Sequence, residues 1–531
     1  MTLFLRRSLT VIPVVLAAAC TSAGPRPVPV SARYDDDALE RLRVDQGQHE
    51  VHAPALFALA PAPAAAAPEG SWPTEAERID VLSLDELLRS VEARFPLILA
   101  AIEELEIAEG ELLSAEGGFD LRLRTDGAAE LQGYYQNESG RVALLQPTTA
   151  WGATVFGGYK YGGGDFPVWE GDRQTNAGGE FRAGVRLPLL AGREIDSRRL
   201  ALWRARVTRA KADPLVLQKR LEATREAAMA YWTWVAAGQK RGIARRLLDL
   251  AESRQETFEL SYAEGELARV VLAENRRLVV ERESILIQAD RDLQRAAIAL
   301  SLFWRDDSGA PKIPDDARLP EELPTPSDPA RITHADDGNL ALQRRPEIRA
   351  LELALEDIDL QVRKAQNDAL PRFDVGIAGS KDTGDAISDP DDKGPFAFDV
   401  FLTLDVPLQR RGARGAVRAL GAQEVQIERK LQLARDQVIA EVSDARSALS
   451  QSWLRLAQVR ENVQLAEEIE QVERLRLEEG DSDLLRVNLR EQQTASAASM
   501  LVDVVAEHFR ALAEYRASLG VSYDEFVHTA P

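Results

Sequence analysis

Three short stretches of this chain place apolar residues at every second position, which is the period of a strand with one apolar face. Phe119, Leu121 and Leu123 alternate with Asp120, Arg122 and Arg124. Phe373, Val375 and Ile377 alternate with Asp374, Gly376 and Ala378. In "FAFDVFLTLDVP", Phe396, Phe398, Val400, Leu402 and Leu404 share one face, with Asp399, Thr403 and Asp405 on the other. Elsewhere the spacing is helical. Residues 422–479 contain neither Gly nor Pro, and neither do residues 481–519. A continuous helix over the 58 residues 422–479 would extend roughly 87 Å at about 1.5 Å per residue, too long for a compact globule. The expected shape is a rod or tube.

The lone Gly480 between those segments costs about 1 kcal/mol in a helix interior, so it is read as a left-handed helix terminus that turns the chain back. Glu264-Gly265-Glu266 matches Glu479-Gly480-Asp481 at a separation of 215 residues, which suggests an internal repeat. The rest of the chain repeats in the same order. Ser83 and Glu86 make a capping box that opens a helix, Pro96 interrupts it, and Pro346 matches Pro96. Strand segments follow, then "LPL" or "VPL" with Pro188 matching Pro407, then a long helix. Pro214 is expected to kink the helix of the first repeat. From the first proline to the second is 92 residues in one repeat and 61 in the other. The excess includes "TTAWGATVFGGYKYGGGDFPVWEGD", rich in Gly and aromatics.

Domain boundaries follow from these breaks. Residues 1–19 read as a signal peptide, 20–81 as a Pro/Ala-rich tether, 82–305 as repeat one and 306–337 as an inter-repeat linker. Residues 338–520 are repeat two and 521–531 a tail. Arg6, Arg7 and the apolar run from Leu9 to Ala19 make the start a secretory signal, and Cys20 follows Ala17-Ala18-Ala19. That placement resembles a lipoprotein lipobox with Cys20 acylated; the alternative is an ordinary signal with an incidental cysteine. Because Cys20 is the only cysteine, an internal disulfide is excluded.

A net charge of −21 argues against nucleic-acid binding, since no basic excess neutralises phosphates. Past the N-terminus no apolar run approaches the roughly 20 residues of a membrane helix. The chain has five histidines, His49, His52, His334, His508 and His528, with no zinc-type spacing, P-loop or nucleophile elbow. No enzyme, cofactor or metal site is expected. "HADD" at 334–337 reads as solvated polar chain.

The duplicated order, with "RRPEIRALELALEDIDLQVRKAQNDALPRFDV" and "LRLEEGDSDLLRVNLRE", resembles the TolC family of outer-membrane efflux and secretion channels over roughly residues 82–520. The fold this implies is mainly α with a transmembrane β-barrel portion. Each chain of a homotrimer would give four strands to a 12-stranded barrel, continued by a long periplasmic α-helical barrel. Four strands cannot close a membrane barrel alone, whereas twelve can. The implied function is the outer-membrane channel of a tripartite efflux pump or type I secretion system in a Gram-negative bacterium. It would pass small molecules, metal ions or polypeptides, with a periplasmic adaptor and an inner-membrane transporter as partners. A periplasmic structural coiled-coil lipoprotein is the alternative, but it leaves the alternating strands unexplained.

By the same resemblance the two hairpin tips receive the adaptor, with Glu264, Gly265, Glu266, Leu267 and Val270 on one and Glu479, Gly480, Asp481 and Leu484 on the other. The alternative is that the glycines only end helices and the acids are solvated. The family's best-known members carry carboxylates six and nine residues after the second turn glycine; Arg486 and Leu489 stand there in this chain. Leu485 and Leu489, at i and i+4, share a helix face. Three copies around an axis would form an apolar constriction, a tunnel gate to which Arg486 adds charge unless Glu478, Glu479 or Asp483 pairs with it. The competing reading packs both leucines between helices.

Overall fold

A computed structural model describes residues 81–386 and 396–521. The signal, Cys20, all but the last residue of the tether (His49 and His52 included) and nearly all of the tail lie outside these residues. Helices α1 (Leu84–Arg94) and α2 (Pro96–Glu116) precede strands β1 (Arg122–Glu130), β2 (Asn137–Pro147), β3 (Thr154–Gly164) and β4 (Glu180–Pro188). The long α3 (Ser197–Ala263) and the returning α4 (Arg269–Ser301) complete the first repeat. The second repeat runs α5 (Asp337–Arg344), α6 (Pro346–Asp368), β5 (Arg372–Asp382), β6 (Ala397–Asp405), α7 (Arg411–Glu478) and α8 (Leu484–Ser518).

Local chemistry explains the boundaries. The Ser83 hydroxyl accepts from the Glu86 N–H at 3.1 Å, satisfying a donor that the helix start leaves open. Pro96 and Pro346 occupy the first turn of α2 and α6, where a missing N–H costs nothing and the fixed φ suits the helix. The kink expected at Pro214 does not end α3, which is continuous over 67 residues.

The main core forms where α1, α3, α4, α5, α7 and α8 meet, around Leu87, Trp234, Leu300, Ala341, Leu449 and Tyr515. The inter-repeat linker is tied to this core. Leu82 donates its N–H to the Arg318 carbonyl at 2.9 Å, and Arg318 pairs with Glu86 at 2.8 Å. Of "HADD", His334, Ala335 and Asp336 are exposed, as expected of solvated chain, but Asp337 is not. Asp337 is buried and accepts from the His334 N–H at 2.7 Å and from the Tyr515 hydroxyl. A carboxylate in the core is tolerable only with such partners.

The strand count departs from the expected four. Six strands form one antiparallel sheet in the order β1-β2-β3-β4-β5-β6. Much of the excess of repeat one joins this sheet: β2 and β3 are hydrogen-bonded into it between β1 and β4, while residues 165–179 connect β3 to β4 outside the strands. The alternation of β3 was obscured by glycine, because Gly157, Gly158, Gly162, Gly163 and Gly164 leave only Thr154, Val155, Phe156, Tyr159, Lys160 and Tyr161 to carry a pattern.

Candidate channel wall and hairpin tips

The register fixes which side chains share a sheet face. Leu123 pairs Leu144, Val142 pairs Tyr159, Val155 pairs Val185, Val185 pairs Ile377, and Ile377 pairs Val400. With Phe398, Leu402 and Leu404 these make one apolar face, and Leu123, Leu144, Phe398, Val400, Leu402 and Leu404 are exposed on it. The opposite face carries Arg124, Asp126, Arg141, Lys160, Glu180, Arg182, Arg186, Asp374 and Asp399 and lines a pocket of about 980 Å³. Charges there are largely paired: Lys160 with Glu180 at 2.7 Å, Arg182 with Asp399 at 2.8 Å, and Arg372 with Asp374 at 2.8 Å. Leu145, Phe156 and Phe401 are apolar exceptions on this face, and the Phe401 ring is the one set against the β5 backbone. The Phe401 ring covers Gly376, where any Cβ would come within 1.9 Å of the ring, and the Arg186 guanidinium lies 5.6 Å from its centroid.

Strand lengths of 9 or 11 residues match the roughly 9–11 that a tilted strand needs to span a bilayer. Among the described residues no helix is long and apolar enough to cross a membrane. One sheet face therefore suits lipid and the other water.

The fold has been solved in several outer-membrane channels. The chain is 17% identical to the channel OprN, with 84% of this chain and 94% of that one superposed at a TM-score of 0.59. It is 18% identical to VceC of Vibrio cholerae, covering 83% and 96% at a TM-score of 0.59. The open-state MtrE channel of Neisseria gonorrhoeae matches at 17% identity, covering 83% and 90% with a TM-score of 0.58. No curated protein sequence matches. At the level of sequence, residues 338–521 match the outer membrane efflux protein family. That match is confined to repeat two, which is similar to outer membrane efflux protein domains. The matched family is made up of channels, not enzymes, and the expected TolC-type architecture of duplicated helix–strand–helix units holds in the fold of this chain.

At the far ends of the long helices, both turns of this efflux-protein fold have the same geometry. Gly265 and Gly480 take φ of 78° and 81°. The Gly265 N–H donates to the Tyr262 carbonyl and the Glu266 N–H to Ser261; Gly480 to Leu477 and Asp481 to Arg476 repeat the pair, all at 2.8–3.1 Å. This is the Schellman arrangement, which satisfies carbonyls that the helix end leaves open and needs a left-handed residue. Nothing lies within 4 Å of where a Cβ would stand on either glycine, so backbone conformation, not space, selects glycine.

The tip residues Glu264, Glu266, Val270, Glu479 and Asp481 are exposed, while Leu267 and Leu484 are half-buried. Leu485, Arg486 and Leu489 are exposed on one face of α8, with Leu485 at 75%, while Val487 between them is fully buried. Asp483 sits 3.6 Å from Arg486 and caps α8 by accepting its N–H. The Arg486 charge is thus paired, although both groups face solvent and the pairing is weak.

Sequence reading missed the strongest polar feature near the tips. Glu491, 1% exposed, accepts from Arg254 of α3 at 2.6 Å, Arg282 of α4 at 2.8 Å and Arg474 of α7 at 3.3 Å. One carboxylate of α8 thereby ties all four hairpin helices of both repeats. Burial alone would raise its pKa, but hydrogen bonds and charge from Arg254 and Arg282 outweigh burial and hold it below the usual value. The available signal was its place on the buried stripe Val487, Glu491, Ala495 at i, i+4 and i+8. A lone acid among core positions implies a buried cation.

Proposed function

We propose that three copies of this chain form the outer-membrane channel of a tripartite efflux pump or type I secretion system. Solutes pass from an inner-membrane transporter, through a periplasmic adaptor and this channel, to the exterior. The observation that carries the reading is the antiparallel sheet with one lipid-compatible and one polar face, joined to helices of 67 and 68 residues. The helices reach about 100 Å at the standard rise, a length suited to the periplasm. A row of exposed apolar residues on α7, including Val425, Leu433, Leu454, Leu465 and Val472, supports coverage by a neighbouring copy. The hairpin tips receive the adaptor, Leu485 and Leu489 constrict the tunnel, and acylated Cys20 adds a lipid attachment. Heat-stable trimers in the outer-membrane fraction, with ion conductance in planar bilayers, are the expected result. A soluble or membrane-peripheral monomer without conductance overturns the reading in favour of a structural coiled-coil protein.

A further inference from the structure

The sheet has two open edges, and they match each other. β1 pairs only with β2 and β6 only with β5, and each edge strand is nine residues long. Both are exposed along nearly their whole length. In a bilayer an unpaired strand edge is untenable because no water satisfies its N–H and C=O groups. With six strands in strict antiparallel succession, β6 runs opposite to β1, so β6 of one copy meets β1 of the next in the same antiparallel sense.

The register of that junction follows in two ways. Aligned end to end, Arg122 stands opposite Asp405 and Glu130 opposite Ala397, which sets outward Leu123 beside Leu404 and Thr125 beside Leu402. Inward residues then meet inward ones, with Arg122 facing Asp405 and Arg124 facing Thr403. The internal repeat gives the same answer. Within the chain, Pro188 of β4 faces Asp374 of β5. The corresponding residues are Pro407 and Asp120, from "LPL" with "VPL" and from "GFDL" with "RFDV". Pro407 opposite Asp120 of the next copy also sets Asp405 opposite Arg122.

We infer that this junction, together with the β2–β3 hairpin lying inside the wall, closes a barrel of six strands from each of three copies, eighteen in all, instead of twelve. The inference rests on the trimeric-channel reading but is separable from it. The hairpin obeys the rule of the rest of the wall: Val142, Leu144, Val155 and Tyr159 outward, Arg141 and Lys160 inward. Barrel diameter grows roughly linearly with strand number, so the lumen is about 1.5 times as wide as with twelve strands, in the range of water-filled porins. The sheet section then accommodates solutes that a twelve-stranded mouth would exclude, leaving selection to the helical tunnel.

Two cysteine pairs and one image test this in the full-length, membrane-assembled protein. Thr125→Cys with Leu402→Cys should form disulfides between chains, giving covalent dimers and trimers, whereas Thr125→Cys with Phe398→Cys, out of register, should not. Val155→Cys with Val185→Cys should form a disulfide within one chain, because it joins β3 to β4. Counting strands by electron microscopy of the unsubstituted trimer should give eighteen, and this measurement stands if a variant fails to assemble. Conducting trimers with twelve wall strands, or without the β3–β4 disulfide, overturn the inference and leave the channel reading intact. Absence of trimers and conductance from the parent overturns both.

Discussion

Glu491 and His508 illustrate how single buried groups set the response of this molecule to acid. Glu491 is anchored by Arg254 and Arg282, whose hydrogen bonds and charge outweigh burial and hold its carboxyl below the ordinary value in the folded chain. Its stabilisation is therefore complete above the unfolded value and lost as pH falls through the lower, folded one. Removing the carboxylate leaves Arg282, 1% exposed, without its counter-charge. Glu491→Ala is expected to destabilise the hairpin region by roughly 3–5 kcal/mol, the usual cost of breaking a buried pair, measurable as accelerated hydrogen exchange in residues 247–290. His508 is fully buried against Phe509 and Trp453, with Nδ1 at 3.0 Å from the Ser452 hydroxyl. Burial lowers its pKa from 6.5, so the unfolded chain binds its proton first as pH drops. Stability is full above 6.5 and declines below it, and this earlier phase should vanish in His508→Gln while the later Glu491 phase persists. Thermal melts carried from pH 7 to well below 4.5 separate the two. At the tunnel, Leu485→Ser with Leu489→Ser is expected to raise single-channel conductance and leave trimers intact; unchanged conductance assigns these leucines to packing between chains.

At the scale of elements, the two hairpins are the decisive units. Their identical turns put a positive φ at Gly265 and Gly480, which costs an L-residue roughly 1–2 kcal/mol. Because the space around both glycines is open, a substitution there alters the tip and not the packing below it. Gly480→Leu should leave trimer yield and melting within a few degrees of the parent but abolish adaptor cross-linking and export. Full export by this variant would remove adaptor docking from the tip.

For the whole molecule, assembly follows from what one chain leaves unsatisfied: two strand edges, an apolar outer sheet face and the exposed apolar row of α7. A lipid on Cys20 would add a second attachment to the outer membrane. Mass spectrometry of the mature N-terminus is expected to find an acylated peptide beginning at Cys20, and replacing Cys20 should lower assembly yield more than conductance. An unmodified N-terminus elsewhere removes the anchor.

The sequence alone determined the duplicated order of elements, because its signals are local. Ser83 capping α1, Pro96 and Pro346 opening their helices, and Gly265 and Gly480 ending theirs each act within a turn or two of chain. Alternation in 396–405 likewise stood out because every residue there bears a side chain. What only the tertiary structure decided is non-local. The glycine-rich segment 154–164 carries too few side chains to show a period, and its strand exists through ladders to β2 and β4. Asp337 looked solvated until Tyr515, 178 residues away, reached it, and Glu491 acquired its role only when Arg254, Arg282 and Arg474 converged from three other helices. A buried charge is stable only with its partners in place, and no window of sequence contains partners brought together by folding.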